Sequence, residues 1–440
     1  MNIIDIIEKV KHNVNLTREE IEYFINGVSN DTIPDYQISA LLMAMWFNPL
    51  KDKELFYLTE AMSKSGETAD LSRIKGIKAD KHSTGGVGDK TTLIIAPIVA
   101  AADMNIAMAK MSGRGLGFTG GTIDKLEAIP NINLTPKTDE FVNIVNKTGL
   151  CISAQSGNLA PADKKLYALR DVTATTDNIS LIASSIMSKK LAAGSEVIVL
   201  DVKCGSGAFM KDIDSALQLA ECMIKIGKNS GKKTIAAVTD MNFPLGRAVG
   251  NTLELIEAVD MLKGNIKSDL YDFCIDFAAL IVSAASGLDI MESKEKAIKT
   301  IENGKAFEHF KDMVNMMGGD TKYLDNTSLF EKSKYSLTIK SEAEGYLYEL
   351  DAETVGRASV ILGAGRSKKG DTIDYSAGVL IHKEKLDKIE INDDILTLYS
   401  NNYDSIKKAE ELIKNVIKTG KKKMKKTERI IKILRGDYEN

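Results

Sequence analysis

Residues 78–127 read KADKHSTGGVGDKTTLIIAPIVAAADMNIAMAKMSGRGLGFTGGTIDKLE. Two glycine-rich segments, Ser83–Asp89 and Ser112–Thr122, each follow a short strand-like run and lead into a helix-like run. Glycine lets backbone N–H groups approach an anion closely, and the positive end of the following helix then favours it. Lys81, Ser83, Lys110, Ser112 and Thr122 add charge and hydroxyl donors around the loops, and Thr92 adds a hydroxyl from the intervening helix. That helix, Thr91 to Ala102, and one strand, Ile106 to Met111, join the loops, so both are expected to converge on a single phosphate. The common nucleotide motifs do not fit. Lys90 follows Asp89 where G-x-x-x-x-G-K-[ST] needs glycine. The first loop also lacks G-x-G-x-x-G spacing, and no acidic residue stands where a ribose would need one.

Working outward, strand-like runs recur at Ile77 to Asp80, Leu150 to Ser153, Val197 to Val202 and Thr234 to Asp240, with helical patterns between most of them. That alternation predicts a mixed, largely parallel sheet with helices on its faces. Residues 1 to about 65 read as four helices, one opened by the capping box Thr17-Arg-Glu-Glu20. The stretch Pro161 to Leu191 holds two further helical patterns back to back. Asn251 to Met317 is helical, and the region after Ser336 alternates and is punctuated by glycine, as β structure is. The lysine-rich run GKKKMKKTERIIKILRG is expected to be a solvated helix.

A chain of 440 residues is long enough for two or three domains, and its net charge of -3 gives no long-range attraction to nucleic acid or membrane. Cys151, Cys204, Cys222 and Cys274 form no CxxC pair and read as reduced thiols of a cytoplasmic protein. His12, His82, His309 and His382 are scattered, which argues against a histidine metal cluster. The amphipathic, acidic start lacks the features of a signal peptide, and no apolar run reaches membrane-spanning length.

The segments DKHSTGGVGDK and SGRGLGFTGGTIDKLE, followed by DKKLYALRDVTAT, SSIMSKKLA, VKCGSGAFM and DMNFPLGRAVGN, resemble the pyrimidine-nucleoside phosphorylase family, which includes thymidine phosphorylase. The resemblance runs over essentially the whole chain and departs at Phe118, where members usually carry histidine. It implies an α/β plus all-α fold: a small helical domain and a larger mixed α/β domain separated by a cleft, with a C-terminal α+β appendage. The expected boundaries are 1–66 and 161–193 for the helical domain, which would bind the base and form a homodimer. The α/β phosphate-binding domain would span 74–155 and 195–335, and the appendage 336–440. Crossings near 65–80, 154–160 and 190–196 would act as hinges.

The implied reaction is reversible phosphorolysis of uridine, thymidine or deoxyuridine to free pyrimidine and (2-deoxy)ribose 1-phosphate. Inorganic phosphate is the co-substrate, with no organic cofactor. Resemblance assigns Arg170, Ser185 and Lys189 to the pyrimidine edge, and the chemistry agrees: two cations suit two carbonyl oxygens and a hydroxyl suits the ring N–H. Ser185 and Lys189 stand four apart, hence on one helix face. Tyr167, Leu116 and Phe209 are candidates to wall the base. His82, between Lys81 and Ser83, is a candidate proton donor to the leaving base or partner of the sugar. Asp163 and Asp89 are candidates to orient neighbouring cations. Some members hold potassium, and matching positions here are Gly88, Lys90, Leu245, Ala248 and Glu257. Those members carry threonine where this chain has Lys90, so its ammonium is expected to fill the cage itself. Other readings are a thymidine-specific phosphorylase, a phosphoribosyltransferase of related fold, or a nucleoside- or phosphate-binding protein without turnover.

Overall fold

The computed structural model describes residues 1–436 apart from positions 116, 367, 369 and 426. Four helices open the chain: α1 (Ile3–Lys11), α2 (Arg18–Ser29), α3 (Asp35–Phe47) and α4 (Asp52–Ser63). At the start of α2 the Thr17 hydroxyl accepts from the Glu20 N–H while the Glu20 carboxylate accepts from the Thr17 N–H. There follow β1 (Ile77–Ser83), α5 (Thr91–Ala102), β2 (Ile106–Ser112), α6 (Thr122–Leu126), α7 (Thr138–Thr148) and β3 (Leu150–Ala154). Two helices, α8 (Pro161–Val172) and α9 (Ile179–Ala192), interrupt the alternation before β4 (Val197–Cys204), α10 (Ile213–Asn229) and β5 (Lys233–Asp240). The chain continues through β6 (Ala248–Val249), α11 (Asn251–Leu262), α12 (Asp269–Ser286), α13 (Ile290–Glu302), α14 (Lys305–Met316) and α15 (Lys322–Asp325). The remaining elements are β7 (Tyr335–Lys340), β8 (Gly345–Leu350), α16 (Ala352–Leu362), β9 (Gly378–Ile381), β10 (Lys388–Ile389), β11 (Asp394–Ser400), α17 (Tyr403–Lys414), β12 (Ile417–Gly420) and β13 (Ile430–Arg435).

The main sheet has the order β13-β5-β4-β1-β2-β3. Strands β5 to β3 in that order are parallel, and β13 runs antiparallel to β5. Successive side chains of a strand point to opposite faces. On β4, Ile198, Leu200 and Val202 therefore join a buried cluster with α1–α4, α8, α9 and α10, whereas Val197 and Val199 join the cluster built with α5, α7 and α11–α14. The helices 1–63 and 161–192 thus share one core with one face of the sheet.

The three segments that cross between helices and sheet run side by side. Glu67 N–H donates to Asn158 O at 3.0 Å, Ala69 N–H to Ala192 O at 2.8 Å, and Ala162 N–H to the Ser65 hydroxyl at 3.2 Å.

The end of the chain departs from expectation. The lysine-rich run read as a solvated helix instead begins at the last residue of β12 and contains β13. Ile430, Ile431, Ile433 and Leu434 favour a strand, and the open edge of β5 supplies the main-chain partners. The C-terminal unit, expected at 336–440, is joined to the rest of the fold through two strand pairings. β13 belongs to the main sheet, and β6 pairs with β9 in the four-stranded sheet β6-β9-β11-β7. Among the described residues, no helix is long and apolar enough to cross a membrane.

Candidate active site

The parallel strands β1, β2 and β3 end on the same edge of the sheet, where ligands of open α/β sheets collect. The two glycine-rich loops leave from the ends of β1 and β2. Together with Gln155, just after β3, they line a cavity of about 200 Å³. His82, Ser83, Asp89, Thr92, Lys110, Ser112 and Thr122 all line it, so seven of the residues singled out in the sequence meet here. Close backbone approach has a visible cause at Gly121: a Cβ there would fall 2.1 Å from the Gly115 nitrogen. The buried Asp124 carboxylate holds this loop in place. It accepts from the Gly115 N–H at 2.7 Å and from the Arg366 guanidinium at 3.1 Å.

Lys81, expected at the phosphate, is not among the residues that line the cavity. The pleat of β1 sends Asp80 and His82 to one face and Lys81 to the other. There the Lys81 ammonium lies 2.9 Å from Asp201 and donates to the Thr91 hydroxyl at 2.6 Å, beneath Phe277 of α12. Lys203 lies 2.7 Å from the same Asp201 oxygen. Asp89 sits over this network. Burial would raise its pKa, but Lys81 and Lys203 outweigh burial and hold the carboxylate ionised far below its usual range.

Electrostatics on the cavity side are set by lysines. Burial is the main cause that brings the Lys110 pKa down to about 7; Asp80 at 3.0 Å opposes it and Lys190 reinforces it. His82 is pushed well below its ordinary value by burial and then by Lys190, Lys110, Lys81 and Lys189. At neutral pH it is an uncharged imidazole with one N–H to donate, which suits a hydrogen bond to sugar or phosphate better than proton delivery.

The second group of candidates stands on α8 and α9. Lys189 donates to Asp163 at 2.6 Å and to the Ser185 hydroxyl at 3.2 Å, so the expected orienting role of Asp163 has a direct partner. Arg170 is buried and donates to three carbonyls, those of Thr175 and Thr176 in the α8–α9 connection and of Leu181 in the first turn of α9, at 2.9–3.1 Å. Two of its five N–H groups remain for another acceptor. Tyr167 is half-buried, its ring 6.0 Å from the Arg170 guanidinium. Phe209 is 60% exposed after β4. Leu116 lies outside the described residues. Phe118 faces α16, with Lys211 and Arg357 each 5.8 Å from its ring centre.

The five positions matched to a potassium cage do come together. The Lys90 ammonium donates to Leu245 O at 2.7 Å, Ala248 O at 2.8 Å and Glu257 at 2.7 Å. Gly88 closes over them: a Cβ there would lie 2.6 Å from Leu245 O. A metal cation at this point would stand against an ammonium group already holding its oxygens. The residues present do not fit potassium.

Sequence reasoning missed Asp80, Asp124, Asp201 and Lys203. The period-two pattern of β1 was the available signal for Asp80, since it shares a face with His82. A larger cavity, about 510 Å³, lies between α12, α13 and β13. Its principal cations are already paired, Arg429 with Asp269 and Lys294 with Asp276, so it offers no convergent set of donors.

Residues 75–307 match the glycosyl transferase family a/b domain, 4–66 its helical bundle domain, and 346–420 the pyrimidine nucleoside phosphorylase C-terminal domain. The chain is 50% identical over 402 residues to a pyrimidine-nucleoside phosphorylase of Bacillus subtilis, covering 91% of this chain and 92% of that protein. It is 48% identical over 417 residues to the pyrimidine-nucleoside phosphorylase of Staphylococcus haemolyticus, covering 94% and 96%. Among solved structures, anthranilate phosphoribosyltransferase from Thermus thermophilus shares the fold, with a TM-score of 0.57 at 16% identity over 71% of this chain and 98% of that one. By its sequence and its domain matches, the chain belongs to the pyrimidine-nucleoside phosphorylase family.

Proposed function

We propose that this chain is a pyrimidine-nucleoside phosphorylase acting in nucleoside salvage on uridine, thymidine or deoxyuridine. The observation that carries the reading is the pairing of two donor sets on two parts of the fold: hydroxyls and Lys110 at the strand ends, and Arg170, Ser185 and Lys189 on α8 and α9. Inorganic phosphate is held by Ser83, Thr92, Lys110, Ser112 and Thr122. The bond between the base nitrogen and C1′ breaks as a phosphate oxygen bonds to C1′. The electron pair moves onto the base, where Arg170 and Lys189 stabilise it at the carbonyl oxygens. Ser185 pairs with the ring N–H, and the neutral His82 donates to sugar or phosphate.

The hydrogen-bonded crossings at 65–69, 158–162 and 192 support a hinge that brings the two donor sets onto one substrate. Exposed Tyr36 and Phe47 on α3 and Ile4 on α1 support a homodimer through the helical part. Sedimentation as a monomer would refute that assembly. The Lys90 ammonium replaces a monovalent cation. Uracil release from uridine, measured with phosphate, with arsenate and with neither, tests the activity. Release that is independent of both anions, or absent from every nucleoside of a substrate panel, would sink it. The panel also separates a thymidine-specific enzyme from a broad one.

A further inference from the structure

The Asp80 carboxylate is buried between two lysines of different elements. Its Oδ1 lies 3.0 Å from the Lys110 ammonium on β2, which lines the anion cavity. Its Oδ2 lies 2.8 Å from the Lys190 ammonium in the last turn of α9. Lys190 is also buried, and it follows directly on Lys189, which faces Asp163 and Ser185. Neither Asp80 nor Lys190 lines the cavity. A buried charge is retained only with a partner, and here one carboxylate serves two.

Resting on the phosphorylase reading, we propose that Asp80 is a positioning residue: it fixes the Lys110 ammonium at the wall of the phosphate cavity and shares its charge with Lys190. The strength of the anion site is thereby set from the end of the helix that carries Ser185 and Lys189.

The charged and titratable groups around Lys110 are Asp80, Lys81 and His82 of β1 and Lys190 of α9, and Asp89 and Arg114 line the same cavity. The neighbouring strand β3 and the helix α5 carry no charged side chain, and burial keeps the Cys151 thiol protonated. Lys110 is an ammonium below about pH 7 and loses its proton as pH rises through that point, so phosphate affinity falls in the same direction. Asp80→Asn removes the anion that favours the ammonium, and the fall moves to lower pH. Lys190→Met removes a repelling cation and leaves Asp80 to Lys110 alone, and the fall moves to higher pH. Opposite displacements, each of roughly one pH unit or more, are not what a purely structural role would give.

The test is calorimetric titration of the folded full-length chain with inorganic phosphate between about pH 6 and about pH 9. The proteins compared are the parent, D80N, K190M and D80N/K190M. Phosphate's own ionisation is common to all four and cancels in the ratio of affinities. Above neutral pH, D80N is expected to bind phosphate about tenfold more weakly than the parent, and K190M at least as tightly. Should D80N fail to fold, comparison of the double variant with K190M carries the same question, because the second buried cation that would lose its carboxylate, Lys190, is then absent. Folded variants whose pH dependence does not move, or moves the same way in D80N and K190M, would overturn the proposal. A parent that binds no phosphate at any pH would instead remove the anion site itself, and with it the phosphorylase reading.

Discussion

The two halves of the candidate site are built from different materials. The anion half hangs on strand ends, and its charges are buried and mutually paired: Lys81 and Lys203 on Asp201, Lys110 and Lys190 on Asp80. The base half stands on two helices and is more open, with the Lys189 side chain 27% exposed. Arg170 is the exception there, clamped on three backbone carbonyls. Buried pairs on strands hold both fold and site together, so damage to them spreads into stability. A half-open lysine on a helix can be removed with little cost to the fold and should report on chemistry alone.

Variants can break or sharpen that contrast. Lys81→Ala should have the largest effect on the fold, a loss of about 3–5 kcal/mol in denaturant unfolding, because it takes one cation from a buried pair. An unchanged midpoint would mean that Lys203 alone suffices for Asp201, and the contrast would fail at its strongest point. Lys189→Ala should lower turnover by roughly 10²–10³ while the phosphate KM stays nearly constant. A large fall in thermal stability with it would show that the helix half is as entangled with the fold as the strand half. Lys110→Ala should weaken phosphate binding by about 2 kcal/mol, in the range for a hydrogen bond to a charged group. An unchanged phosphate titration would take Lys110 out of the anion site. The smallest effect is expected at Lys90. Exchanging potassium for a bulky organic cation at equal ionic strength should leave the parent's activity and melting unaltered, and Lys90→Thr should introduce a potassium dependence. A potassium requirement in the parent would refute the built-in ammonium.

The sequence was most legible where a pattern was local. Thr91–Ala102 is helical over the expected residues, and the five parallel strands lie within a few residues of their expected positions, because β-branched runs bounded by glycine leave few alternatives. Seven residues around the glycine loops meet at one cavity because both loops leave neighbouring parallel strands. The partners of Lys81 were not legible, because spacing alone does not say which face of a strand a side chain takes. Asp201 and Lys203, which hold it, come from β4, more than a hundred residues later. The Lys421–Lys425 run hid β13 in the same way: its lysines dominate the composition, while the partner that makes Ile430–Arg435 a strand is β5, far back in the chain.

That strand bears on how the protein is made. Residue 240 leaves the ribosome long before residue 430, so β5 must wait, its outer edge unpaired, while α11 to α17 and β6 to β12 are synthesised. An open edge of this kind recruits strands from other chains. Translation that stops short of β13 would therefore release a polypeptide whose α/β core is present but unsealed, and neighbouring nascent copies would compete for the place that β13 normally takes.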